Sequence, residues 1–375
     1  MLVGVPKEIK SREYRVGLVP SSVRELVARG HAVIVETHAG SEIGFDDNVY
    51  EQAGAKIVDT AKEVFDRAEM IVKVKEPQPD ECAMLREDQI LFTYLHLAAD
   101  NAQAKGLENS GCVAIAYETV TSDRNTLPLL APMSEVAGRM SIQVGARCLE
   151  KSAGGNGVLL GGVPGVAPAN VTILGGGVAG TNALRMAIGM EAEVTVIDRS
   201  LDRLKELDTY YGGRIKTVYS TAENIEESIA QADLVIGTVL IPGASAPKLI
   251  TRDMLSIMRP GSAIVDVAVD QGGCCETTRP TTHDEPTYVV DGIIHYCVAN
   301  MPGAVPRTSA IALNNATLPY ALALADKGVW KALQDDKHLR NGLNVCRGSI
   351  THAYVARDLR RSYIPAEEYL TARAA

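Results

Sequence analysis

No stretch of this sequence stays apolar for the roughly 18 residues that a membrane-crossing helix needs. Its first residues, MLVGVPKEIK, pass straight into a strand pattern and lack the basic and apolar regions of a leader peptide. A cytoplasmic protein with no membrane partner is expected. Basic charge is also in short supply. Lys and Arg total 37 against 46 Asp and Glu, a net charge of −9, and the pI is near 5.4. No basic stripe interleaves with aromatics, so a nucleic-acid backbone or an anionic surface is a poor partner. The seven cysteines (Cys82, Cys112, Cys148, Cys274, Cys275, Cys297 and Cys346) are odd in number and include no C-x-x-C pair. That pattern suits reduced thiols better than a disulfide framework. None has zinc-finger spacing to a histidine, and the adjacent Cys274 and Cys275 read as ordinary residues, so no metal is expected. Aromatics are only 5% of the chain while glycine numbers 33, a balance that suits α/β architecture with many tight strand–helix turns.

At 375 residues the chain is too long for one compact core. Apolar, β-rich runs alternate with helix-period segments. The early runs are Leu2–Val5, Ala32–Glu36, Met70–Val74, Ile90–Leu95 and Val113–Tyr117, separated by segments such as Ser22–Arg29 and Thr60–Arg67. A second series follows at Val171–Leu174, Glu193–Ile197, Leu234–Leu240, Ala263–Val267 and Tyr296–Val298. Such alternation predicts parallel, doubly wound sheets. A long helix is expected over Pro132–Glu150, with Ser134 as N-cap, then a Gly/Pro-rich loop at Gly154–Ala169 with hairpin character. The tail returns to helix at Thr308–Ala325 and around Gly348–Arg361. The fold class is therefore α/β, with two Rossmann-like domains, a cleft between them and long helices joining them. Residues 1–128 and 307–375 form a discontinuous substrate domain, and 129–306 an inserted dinucleotide domain.

The inserted domain opens on VTILGGGVAGTNA, where Gly175, Gly177 and Gly180 form G-x-G-x-x-G. A lone match is weak. Here it follows an apolar strand, opens a helix, and precedes EVTVID, whose final acid is Asp198. That spacing matches the dinucleotide fingerprint. Gly175 permits the turn, Gly177 lets the backbone approach a pyrophosphate, and Gly180 lets helix and strand pack closely. The helix N-terminus attracts the phosphates. Asp198 accepts from ribose hydroxyls and repels a 2′-phosphate, which favours NAD over NADP; Arg199 and Arg203 nearby pull the other way.

Ligands of open α/β sheets lie beyond the carboxyl ends of the strands. Arg15 follows the first strand, Lys75 ends MIVKVK, His96 ends ILFTYLH, and Asp270 ends SAIVDVAVD. An arginine fork can grip a carboxylate, a lysine can polarise a carbonyl or imine, and an imidazole exchanges protons near neutral pH. Together they suit a substrate with a carboxylate beside its reacting carbon. Each also has a plainer reading: a solvated loop charge for Arg15, a snorkelling strand-end lysine for Lys75, a satisfied core histidine for His96, a turn cap for Asp270.

With these residues in view, the chain resembles the bacterial L-alanine dehydrogenases from end to end. VGVPKEIKSREYRVGLVP, KVKEPQ, YLHLAAD, ILGGGVAG and VDVAVDQGG resemble that family's motifs, in order and at similar spacing. The resemblance implies that Arg15 and Lys75 bind the substrate carboxylate and oxo group, that His96 is the acid/base, and that Asp270 assists at the reacting centre. It implies NAD contacts from Ser134, Val178, Ala179, Asp198, Arg203, Ser220, Val239, Leu240, Val267, Ala268, Val269, Asp270, Arg279, Val298, Ala299, Asn300 and Met301. It also implies a homohexamer. The expected reaction is reversible deamination of L-alanine to pyruvate and ammonium, through an imine that water attacks with His96 as base. Two alternatives are another amino-acid dehydrogenase of this architecture, of the saccharopine type, and a non-catalytic NAD(H)-binding module like that of transhydrogenase.

Overall fold

The computed structural model describes residues 1–124, 126–239 and 246–371. The chain divides into two compact units, Met1–Met133 with Val305–Ala375, and Ser134–Ala304. In chain order the strands are β1 (Leu2–Val5), β2 (Ala32–Glu36), β3 (Lys56–Val58), β4 (Met70–Val72), β5 (Ile90–Thr93), β6 (Val113–Ala116), β7 (Asn170–Leu174), β8 (Glu193–Asp198), β9 (Lys216–Tyr219), β10 (Leu234–Gly237), β11 (Ala263–Asp266), β12 (Thr287–Val290), β13 (Ile293–Tyr296), β14 (Leu343–Cys346) and β15 (Ser349–Ile350).

The first unit holds an eight-stranded sheet in the order β3-β2-β1-β4-β5-β6-β14-β15. Its first six strands pair in parallel, while β14 and β15 are antiparallel. The second unit holds a seven-stranded sheet in the order β9-β8-β7-β10-β11-β13-β12, with only β12 antiparallel. Both sheets follow the dinucleotide-fold order, in which the chain leaves the first strand toward one edge and returns to start the other half. That reversal opens a crevice at the carboxyl ends of β1 and β4 in one unit, and of β7 and β10 in the other.

The sequence explains why the central strands sit where they do. β4, β5, β6, β10 and β11 are buried at every position, as parallel strands covered on both faces must be. In the first unit, Val64 and Phe65 of helix Ala61–Arg67 and Leu107 of helix Asn101–Ser110 pack with Ile71, Leu91, Ala114 and Val345. In the second, Ile225 and Ile229 of helix Ala222–Gln231 pack with Leu174, Ile197, Val235, Ile264 and Ile293. Each large side chain so buried contributes about 1.5–3 kcal/mol. Helix starts follow local chemistry: Thr60, Ser200 and Thr221 each accept an N–H bond from the first turn through the side chain.

Several expected elements differ in detail. The long helix is Ala131–Cys148, so Ser134 lies within its first turns and is not an N-cap. The tail around 348–361 holds strand β15 as well as helix Ala353–Leu359; β14, β3, β9 and β12 have no counterpart in the sequence reading. These strands are short, and β9 and β12 are only half-buried, so their hydrophobic pattern is faint. The last parallel strand is Ile293–Tyr296, earlier in the chain than Tyr296–Val298. The Gly/Pro-rich loop pairs Val163 with Val166 in a tight antiparallel bridge. Among the described residues, no helix is long and apolar enough to cross a membrane.

Candidate active site

In the first unit, the loops after β1, β4 and β5 carry Arg15, Lys75 and His96. Arg15 is not a solvated loop charge. Its side chain is 2% exposed and forms a two-pronged pair with the fully buried Glu13, Nε to Oε1 at 2.6 Å and Nη2 to Oε2 at 2.5 Å. Nη1 points to Met133 Sδ at 3.0 Å. Burial alone would push the Glu13 carboxyl up, but the Arg15 guanidinium outweighs it and holds the group below the usual range. Lys75 lies close enough to feel Arg15. Its pKa is lowered, chiefly by burial, with Arg15 and Lys10 pressing the same way and Glu76 and Glu13 opposing.

His96 is exposed over 46% of its side chain, which sets aside the core-histidine reading. Its backbone is left-handed, at φ 50° and ψ 34°, a conformation that costs a non-glycine residue on the order of 1–3 kcal/mol and collects at functional sites. The Glu118 carboxylate secures it. Glu118 Oε1 accepts the His96 N–H at 2.5 Å, and both of its oxygens take the Leu95 N–H, at 3.1 and 3.2 Å. The imidazole Nδ1 lies 4.0 Å from Glu118 Oε1. The Tyr94 ring stacks on the imidazole at 5.6 Å, and its hydroxyl donates to Leu129 O. Burial raises the Tyr94 pKa well above its usual value, while Arg15 opposes that rise. Arg15, Tyr94, His96 and Lys75 thus share one edge of one sheet.

Glu13, Glu118 and Tyr94 were not singled out from sequence. Glu118 had a readable signal, because AYETV places it just past β6 on the edge that yields the other candidates. Glu13 had none, since its role depends on the path of the loop.

In the second unit the glycine motif joins β7 to helix Val178–Gly189. Gly175 has φ +99°, and a side-chain carbon on Gly180 would sit 1.8 Å from Gly175 O. A turn this tight and this close to the helix admits only glycine at both places. At Gly177 an added carbon would meet nothing within 4 Å, and the helix that follows has no side-chain cap. Among the described residues, no side chain caps its first N–H groups, Val178 and Ala179 among them, and nothing crowds the place of an added carbon at Gly177. That observation fits the pyrophosphate of a dinucleotide. Asp198 ends β8 as expected, with Oδ2 accepting the Gly176 N–H at 2.7 Å and Oδ1 the Ser200 N–H at 2.8 Å. Arg203 donates to Gly176 O and Thr181 Oγ1, so it braces the loop from the outside.

Ser220 follows β9 and donates its N–H to Asp198 O. Val239 follows β10; Leu240 lies outside the described residues. Asp270 does not end a strand: β11 stops at Asp266, and Asp270 sits in the short 3-10 turn Val269–Gln271 after Val267 and Ala268. The residue at the strand end is the buried Asp266, which accepts the Ala268 and Cys274 N–H groups at 3.1 and 2.9 Å and shapes the turn that carries Asp270. The run VDVAV hid this, because Ala268 and Val269 stay buried after the strand has ended. Arg279 lies over the Tyr288 ring, 4.2 Å from its centre. Val298 bridges Thr281, and Ala299, Asn300 and Met301 follow, with His283 Nε2 2.9 Å from Asn300 O.

Two dinucleotide-order sheets and a glycine turn closed by an acid mark a dinucleotide-binding protein, and a cationic edge beside an exposed imidazole is the equipment of an enzyme. The comparisons give the family. Residues 4–137 match the alanine dehydrogenase/PNT N-terminal domain and residues 141–353 the alanine dehydrogenase/PNT C-terminal domain. The chain belongs to the alanine dehydrogenase/PNT family. It is 61% identical over 366 residues to an alanine dehydrogenase of Halomonas elongata, covering 98% of this chain and 99% of that one. A solved L-alanine dehydrogenase matches with 54% identity and a TM-score of 0.93, over 96% of this chain and 99% of that one. A transhydrogenase structure from Sinorhizobium meliloti shares the fold, at 24% identity and a TM-score of 0.80, over 94% of this chain and 99% of that one.

Proposed function

We propose that the chain catalyses the reversible, NAD-dependent oxidative deamination of L-alanine to pyruvate and ammonium. The observation that carries this reading is the cationic edge of the first unit, where a buried arginine, a desolvated lysine and an exposed imidazole stand together. The high identity to named alanine dehydrogenases supports it against the saccharopine-type and transhydrogenase-module alternatives.

Gly175–Gly180, Val178, Ala179 and Asp198 would hold the cofactor, with Ser134, Arg203, Ser220, Val239, Leu240, Val267–Asp270, Arg279 and Val298–Met301 around it. Bound there, NAD would supply the hydride-transfer chemistry at the alanine Cα. Arg15 holds the substrate carboxylate through its guanidinium, which Glu13 fixes by Nε and Nη2. Lys75 steadies the developing charge on the oxo oxygen. His96 takes the proton of the water that attacks the substrate imine and returns it to the departing amine. Asp270 assists at the reacting centre. Residues 1–128 with 307–375 serve as the substrate domain, and 129–306 as the cofactor domain. The resemblance to the bacterial enzymes further supports a cytoplasmic homohexamer.

Steady-state amination of a panel of 2-oxo acids with NADH and ammonium tests the substrate class. Pyruvate is expected to give the highest kcat/KM, ahead of glyoxylate and 2-oxobutyrate, with 2-oxoglutarate far behind. Activity on 2-oxoglutarate that needs lysine in place of ammonium would move the chain to the saccharopine type.

The lowered pKa of Lys75 adds a pH dependence. The ammonium that binds pyruvate is fully present below that pKa and is lost as pH rises through it. Pyruvate affinity, measured on the NADH complex without ammonium, should therefore fall at a pH below the ordinary lysine range. Lys75→Arg, which does not titrate there, should lose this alkaline limb. An affinity that holds constant up to the ordinary lysine pKa would contradict the assignment.

A further inference from the structure

The peptide that carries Lys75 has left the sheet, because β4 ends at Val72. Toward β5 it is still held as a strand would be. Lys73 N donates to Phe92 O, Tyr94 N donates to Val74 O, and the Thr93 hydroxyl donates to Lys75 O at 2.9 Å. Toward β1 there is no strand left, since β1 stops at Val5. A side chain takes the missing place. Glu8 Oε1 accepts the Val74 N–H at 2.6 Å and the Lys75 N–H at 3.3 Å.

The other Glu8 oxygen, Oε2, accepts from Lys73 Nζ at 3.1 Å, and Lys73 is wholly buried. Lys73 also donates to Glu81 Oε1 at 2.6 Å, while Glu81 Oε2 takes the Gln78 N–H at 2.8 Å. A buried cluster of two carboxylates and one ammonium loses much of its Coulomb gain to desolvation, and apolar residues of the same volume would hold a core at least as well. Its chemistry therefore points to placement. The Glu8 carboxyl uses both oxygens, one for a peptide edge and one for a cation that fixes it and works against the burial that pushes its pKa up.

We propose that Glu8 and Thr93 are positioning residues for the substrate, acting through Lys75: they clamp its peptide by the N–H on one side and the carbonyl on the other, so that its ammonium is held in register with Arg15. This rests on the reading of Lys75 as a substrate ligand. Glu8→Gln breaks the clamp without changing volume. A glutamine has one acceptor oxygen, so its amide nitrogen faces a donor whichever way it turns. Thr93→Val removes the second anchor at equal size. Glu81→Gln serves as the comparison, because it removes a charge from the same cluster and leaves both anchors of Lys75 in place.

The experiment measures pyruvate Kd on the NADH complex without ammonium, by the change in NADH fluorescence, in each variant alone and in a Lys75→Met background. Glu8→Gln and Thr93→Val are each expected to weaken pyruvate about tenfold, the scale of one lost hydrogen bond, with NADH Kd unchanged and Glu81→Gln within about twofold of the parent. In the Lys75→Met background the same changes should add less than about twofold, because the group they aim is gone. Equal losses with and without Lys75, a wild-type Kd in Thr93→Val, or a loss in Glu81→Gln as large as in Glu8→Gln would each overturn the proposal. If Glu8→Gln does not fold, the Thr93→Val pair decides alone. A Lys75→Met protein that binds pyruvate normally would instead remove the reading on which the clamp rests.

Discussion

Replacing His96 by asparagine is expected to lower turnover in both directions by roughly 10²–10⁴-fold, the usual contribution of a positioned acid/base. Asparagine is the informative choice. The left-handed backbone at His96 suits asparagine better than alanine, so the imidazole is removed while the turn clamped by Glu118 keeps its shape. The side chain is half exposed, so the core loses little. NADH binding should persist, because the glycine cradle belongs to the other compact unit. His96→Asn with wild-type turnover in both directions would place the acid/base elsewhere. Lys75 would then be the next candidate, because burial and Arg15 already lower its pKa.

Arg15→Ala should have two separable effects. Loss of the carboxylate grip is expected to cost on the order of 2–5 kcal/mol in pyruvate binding. The same change takes the ion-pair partner from Glu13, whose side chain is fully buried, and breaking such a pair typically costs about 3–5 kcal/mol of stability. Calorimetry and pyruvate titration on two further variants separate the terms. Arg15→Lys keeps a charge but cannot reproduce the two-pronged contact, so both stability and affinity should fall. Glu13→Gln combined with Arg15→Met removes both charges at similar volume. It should recover most of the stability and none of the affinity. Full recovery of pyruvate binding in that double variant would take Arg15 out of the substrate site.

Much of this account was legible in the residues. The glycine spacing, the strand before it and the acid at the end of the next strand require no tertiary knowledge; in the loop itself Gly175 has φ +99° and Gly180 lies against Gly175 O. Arg15, Lys75 and His96 could be picked out because chemistry in such sheets collects at strand ends. The supporting carboxylates were harder to see. Glu8 and Glu13 act from an irregular loop whose path is set by tertiary packing, such as the approach of Gly17 to the β4 carbonyl at Val72, where an added carbon would lie 2.2 Å from the oxygen. No periodicity encodes such a path. Asp270 was misplaced onto a strand because burial continues past Asp266 while the backbone turns away from the sheet. Short strands such as β15, two residues long, leave almost no pattern to read.

The most direct test is the initial rate of NADH formation from L-alanine by the purified chain alone, with pyruvate quantified alongside. The account predicts one pyruvate per NADH, a rate that climbs as pH rises above neutral, and a clear preference for NAD over NADP set by Asp198. No NADH formation without a partner protein, or equal efficiency with both cofactors, would contradict it.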